Sequence, residues 1–128
     1  MEGTYVPAGT PEEQVEEVVQ ARRSVRVIGR IGFAPNPDSY SAGFRAMVLT
    51  EPNKTLVETV IPESPAYHAG LFPGDKIEEI NGRSTPGLTP QEIRDLVLKP
   101  DGPREIKLKV NRNGSLINLN VATSGLSQ

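Results

Sequence analysis

Few residues in this 128-residue chain could do chemistry. A single imidazole, His68, stands four positions after Ser64, and a hydroxyl beside a base invites a serine-hydrolase reading. Both fall, however, in Ser64-Pro65-Ala66-Tyr67-His68-Ala69-Gly70-Leu71, where Ser64 caps a short helix, Pro65 is its first residue and Gly70 supplies a left-handed exit. No Gly-x-Ser-x-Gly elbow accompanies them, so His68 is read as a surface residue and the chain as non-catalytic. The carboxylate pairs Glu12/Glu13, Glu16/Glu17 and Glu78/Glu79 are adjacent in sequence and point in different directions on a helix or strand. They read as solvated faces, neither an acid–base pair nor a calcium site. With no Cys and one His, thiol and redox chemistry and a His-rich zinc site are excluded, and no cofactor or metal is expected.

The elements that position these residues fit one domain. Hydrophobic residues are 36% and charged residues 23%, with no Trp, which describes a folded chain with a modest core; twelve Gly and twelve Pro suggest many turns and short strands. Fourteen basic and sixteen acidic residues leave a net charge of -2 without a basic block, which excludes nucleic-acid binding as the main role. No apolar run is long enough to insert in a membrane, and Met1 to Gly9 lacks a basic-then-apolar signal pattern; a segment of a longer protein, monomeric when isolated, is expected.

Thr10-Pro11-Glu12-Glu13 predicts a capped helix start, with Val15, Val18 and Val19 as its apolar face and Arg22 and Arg23 near its end. A β run follows from Val25 to Ile28, then a loop through Pro35 and Pro37. Phe44–Leu49 and Thr55–Ile61 pair as a hairpin. After the short helix, Pro73-Gly74 fits a type II turn into a short or bulged strand, Lys76–Ile80, which ends at Asn81-Gly82. Thr89-Pro90-Gln91-Glu92 is a second capping box, with Ile93, Leu96 and Val97 behind it and an end near Lys99-Pro100. Ile106, Leu108 and Val110, then Ile117, Leu119 and Val121, alternate on either side of Asn113-Gly114 as a terminal hairpin. The expected fold is α+β: a small, partly open β-barrel or sandwich of five to six strands capped by two helices, plus an N-terminal helix. The expected divisions are 1–24 for lead-in and helix, 25–122 for the main domain and 123–128 for a tail.

Val57-Glu58-Thr59-Val60-Ile61-Pro62-Glu63-Ser64-Pro65-Ala66, then Ala69-Gly70-Leu71 and Pro73-Gly74-Asp75-Lys76-Ile77 through Ile80-Asn81-Gly82, resemble the central signature of PDZ domains. The likeness is close over 57–82 and extends by element order over about 25–122, without accounting for the N-terminal helix. The variant is similar to PDZ modules of bacterial envelope proteases. The segment Ile31-Gly32-Phe33-Ala34-Pro35 before the hairpin resembles the site-2-type intramembrane metalloproteases, the favoured parent, whereas HtrA-like and C-terminal-processing proteases usually lack that spacing. The resemblance implies a module on the extracytoplasmic, periplasmic side of a bacterial membrane, with a protease domain in cis and peptide or unfolded-protein C-termini as partners.

PDZ-like folds leave one strand edge unpaired beside the longer helix, where an extended peptide adds through main-chain hydrogen bonds. Carried onto this sequence, Pro90, Arg94 and Val97 face the groove while Ile93 and Leu96 face the core. Pro90 or Gln91 stands where many animal modules carry His, which removes the basis for a Ser or Thr preference, and Arg94 is placed to pair with an acidic ligand side chain. Two segments compete to receive a terminal carboxylate. Ile31-Gly32-Phe33, preceded by the cation Arg30, is preferred; Ala42-Gly43-Phe44, leading straight into the hairpin, is the alternative. A module that binds no peptide and acts as a spacer or steric filter beside a protease site is the competing function.

Overall fold

The computed structural model describes residues 8–32, 43–50, 53–98 and 105–122. In chain order the elements are α1 (Glu12–Arg22), β1 (Val27–Gly32), β2 (Phe44–Leu49), β3 (Lys54–Val60), α2 (Pro65–Ala69), β4 (Lys76–Ile80), β5 (Arg83–Ser84), α3 (Pro90–Leu98), β6 (Glu105–Arg112) and β7 (Ser115–Ala122). The strands form one antiparallel seven-stranded sheet in the order β1-β2-β3-β4-β6-β7, with β5 paired only to β4. The fold is PDZ-like.

Turn chemistry sets most of the boundaries. Ser64 Oγ accepts from the Tyr67 N–H at 3.1 Å and Gly70 exits α2 at φ 93°. Pro73 and Gly74 form the expected type II turn, with Gly74 at φ 90° and the Asp75 N–H donating to the Phe72 carbonyl at 3.2 Å. At α3 the capping box is complete: the Glu92 N–H donates to Thr89 Oγ1 at 3.1 Å and the Thr89 N–H to Glu92 Oε1 at 2.8 Å. Asn113 and Gly114, at φ 53° and 88°, join β6 to β7.

Three expectations change. The first run begins at Val27, leaving Val25 97% exposed, and continues through Gly29 to Gly32 with a register shift between Val27 and Gly29. The two-residue β5 raises the strand number to seven. At α1, Pro11 and not Thr10 holds the N-cap position, without a side-chain cap bond, and its carbonyl accepts from Gln14 and Val15. The buried face of that helix is Gln14, Val18 and Ala21, while Val19 is 40% exposed.

The face turns because the sheet is covered on both sides. The main core joins Phe44, Ala46, Val48, Val57 and Val60 to Ala66 of α2 and Ile93 of α3. A second cluster brings Met47, Leu49 and Leu56 against Val18 and Ala21 of α1. β2 therefore buries alternate residues in opposite layers, which explains its nearly unbroken apolar sequence. On β3, Val57 opposes Ala46 and Thr59 opposes Arg45, so Glu58 is the extra residue of a bulge. The bulge lets Val57 and Val60, three apart, both enter the main core.

Candidate functional site

β1 is the outermost strand at one end of the sheet, and α3 packs beside it. Of the predicted loop, Arg30, Ile31 and Gly32 lie within β1, opposite Met47, Ala46 and Arg45 of β2. Ile31 is buried in the main core. Phe33 lies outside the described residues. Arg30 is engaged twice: its Nε donates to Glu58 Oε1 at 2.9 Å, and its carbonyl accepts from Arg94 Nη2 at 3.1 Å.

The groove wall on α3 follows the helical periodicity. Ile93 is fully buried and Leu96 packs against the core, leaving Pro90 and Arg94 on the side toward β1. A Cβ on Gly29 would meet Pro90 Cγ at 2.9 Å, so the absence of a side chain there lets the proline ring lie on the β1 backbone. Val97 belongs to α3, with its side chain outside the described residues. Beyond Pro90, a cavity of about 190 Å³ opens between Ile28, Thr85, Leu88 and the end of the β2–β3 hairpin.

The alternative segment is placed differently. Ala42 lies outside the described residues, Phe44 is fully buried, and Gly43, at φ 89°, sits against Ser64. The Gly43 carbonyl accepts from the Ile61 N–H at 2.8 Å and from Ser64 Oγ at 3.3 Å. Ser64 is thus a cap and a tie to the strand start. His68 is exposed, with Nε2 3.3 Å from Glu63 Oε1. Among the described residues no cluster of three or more His, Asp or Glu could hold a metal, and no helix is long and apolar enough to cross a membrane.

Two polar clusters were not anticipated. Glu58, nearly buried, receives Arg22 Nε of α1 at 2.8 Å as well as Arg30, so one carboxylate ties α1 to the edge strand. The cue was an acid inside the apolar run Leu56-Val57-Glu58-Thr59-Val60. Across β3 from Glu58, beside Val57, Asp75 is fully buried and accepts from Arg112 Nε and Nη2, from the Phe72 N–H and from Gln14 Nε2. Gln14 Nε2 also donates to the Pro73 carbonyl, while its Oε1 is buried without a protein partner. The hydrogen bond to Asp75 raises the Arg112 pKa above its ordinary value; burial opposes the rise and the charge of Asp75 adds to it. The Arg112 guanidinium also lies 4.3 Å from the centre of the Phe72 ring.

Comparison with known proteins agrees with this architecture. Residues 56–112 match the family described as the PDZ domain. The magnetosome formation protease MamE of Magnetospirillum gryphiswaldense is 32% identical over 99 residues, 76% of this chain and 12% of that protein. The carboxy-terminal processing protease CtpB of Bacillus subtilis is 34% identical over 85 residues, 65% of this chain and 17% of that protein. A solved PDZ domain protein from Parabacteroides distasonis superposes with a TM-score of 0.50 at 30% identity, covering 72% of this chain and 19% of that one. The chain thus spans less than a fifth of the length of each of these relatives. Signature, sheet order and relatives together show that this chain carries a PDZ domain with homology to the PDZ domains of proteases.

Proposed function

We propose that this domain binds peptides by strand addition at β1 and serves a protease in cis as a regulatory or substrate-recognition module. The observation that carries the reading is the position of β1, an end strand with α3 alongside. A ligand running parallel to β1 brings its C-terminal carboxylate toward Ile31-Gly32-Phe33 and its upstream residues past Arg30 toward Ile28 and the cavity beyond Pro90. Pro90, Arg94 and Val97 form the helical wall, and Ala42-Gly43-Phe44 is the competing loop. Partners of this chemistry are the C-termini of peptides or unfolded proteins.

Titration of the ¹⁵N-labelled chain with a hydrophobic C-terminal peptide tests the reading. Shifts centred on Arg30 to Gly32 and on α3 support it. Shifts centred on Gly43 and Phe44 move the carboxylate to the other loop, and a flat titration at both places leaves the spacer role.

For the parent protein we propose a membrane-associated protease of the bacterial envelope, with this domain on the extracytoplasmic side. The relatives named as proteases support the association, and the one named for carboxy-terminal processing favours that class. The site-2-type alternative rests on the Ile31 to Pro35 segment. A His-Glu-x-x-His motif within an apolar stretch of the full-length sequence would select that class, and a serine nucleophile domain upstream would select an HtrA-like parent.

A further inference from the structure

Arg94 gives its guanidinium to two neutral oxygens. Nη1 donates to Gln91 Oε1 at 2.8 Å, and Gln91 is itself held through Nε2 to Asp95 Oδ1 at 2.9 Å. Nη2 leaves the helix and donates to the Arg30 carbonyl at 3.1 Å. Among the described residues Arg94 forms no ion pair, whereas Arg22, Arg30 and Arg112 each meet a carboxylate. An exposed guanidinium bound only to neutral acceptors keeps its strongest potential partner, a carboxylate, unfilled.

The Arg30 carbonyl is also the group that strand addition requires. It belongs to the end strand and is reachable from α3, the side on which an added strand would lie. An incoming backbone N–H must approach that oxygen to about 2.9 Å, in a strand running some 4.8 Å from β1, which is the space the Arg94 guanidinium fills. Next to this bond, Pro90 rests on the backbone at Gly29 and holds the first turn of α3 close to β1.

We infer that Arg94 is a latch on the β1 edge, and that the ligands which open it are peptides with an acidic side chain. The inference rests on β1 being the peptide site and specifies how that site is regulated. A neutral peptide must break the Arg94 bond to the carbonyl and offers the guanidinium nothing in return. An acidic peptide gives it a carboxylate, with charge-assisted and bidentate geometry, while the freed carbonyl accepts a ligand N–H. Only a ligand with such a differential interaction shifts the closed state toward the open one.

The test uses heptapeptides ending in a free valine carboxylate, with one Glu moved through the upstream positions and a Gln counterpart for each. Binding is measured by anisotropy to the wild-type chain, to Arg94→Met and to Arg94→Lys, with NMR spectra confirming that each variant is folded. The best Glu peptide should bind the wild type about tenfold more tightly than its Gln counterpart, the ratio of one added charge-assisted contact. Arg94→Met should lose that preference and bind the Gln peptides severalfold more tightly than the wild type does. Arg94→Lys should keep part of the preference. Equal weakening of Glu and Gln peptides in Arg94→Met would make Arg94 an ordinary contact and overturn the latch, as would an unchanged preference. Failure of every peptide to bind all three proteins would overturn the groove itself. Binding at β1 without the predicted sign would overturn only the latch.

Discussion

Arg112 and Arg94 each reach from one element to a backbone carbonyl of another, on different terms. Arg112 donates to the Gly70 carbonyl at 2.7 Å, but it also holds the buried Asp75 through two nitrogens and lies over Phe72. Its ties fix the end of β6 to the exit of α2 and to the turn before β4, and Gln14 brings α1 to the same carboxylate. Arg94 makes a longer, exposed bond to Arg30 with no carboxylate beneath it. One arginine completes a buried polar cluster, so removing any member strands the rest. The other bridges two elements that a ligand could separate. A cation's role therefore follows from whether its acceptors are charged and dry or neutral and wet.

Asp75→Ala should produce the largest loss, about 3–5 kcal/mol, because it leaves the half-buried Arg112, the Phe72 N–H and the Gln14 amide without their shared acceptor. Urea denaturation measures this, and a loss below about 1 kcal/mol would erase the distinction between the two arginines. Next come the two glycines that adopt positive φ around this cluster. Gly70 is surrounded by open space, so Gly70→Ala should cost only the conformational strain, about 1–2 kcal/mol. At Gly74 a Cβ would also run into Gln14, so Gly74→Ala should cost more and loosen α1. Equal midpoints for the two variants would show that α1 does not depend on that close approach. Glu58→Gln removes the charge shared by Arg22 and Arg30 and should cost about 1–2 kcal/mol, less at high salt. A loss that does not respond to salt would assign the effect to packing. Arg94→Met should come last, within about 0.5 kcal/mol of the wild type in stability. A large destabilisation would make Arg94 a structural residue like Arg112.

What the sequence disclosed and what it hid divide along the same line. The α2 cap and exit, the Pro73-Gly74 turn, the α3 capping box and the Asn113-Gly114 hairpin were all legible, because each is settled by residues within a few positions of one another. The buried face of α1 was not, since the amide that turns Gln14 inward meets a turn 59 residues away. The same holds for the two engagements of Arg30, with Glu58 and with Arg94, and for the four donors around Asp75. The candidate groove could be placed because the PDZ signature carries element order, and Pro90 and Arg94 follow from helical periodicity. Its closed state depends on a bond between residues 64 positions apart, and no local pattern records it.

The bulge at Glu58 also bears on how this chain can change in length. Val57 and Val60 reach the main core with two residues between them, and Leu56 and Glu58 face the side covered by α1. A substitution at position 58 alters a charge and leaves that phasing alone. Removal of Glu58 restores a regular two-residue alternation with Val57 and Val60 still facing the core and Thr59 still opposite Arg45, and it takes away the carboxylate shared by Arg22 and Arg30. Over 57–60 the phasing of the core therefore tolerates a one-residue difference at the bulge, and relatives that lack the extra residue should also lack the carboxylate that ties α1 to β1.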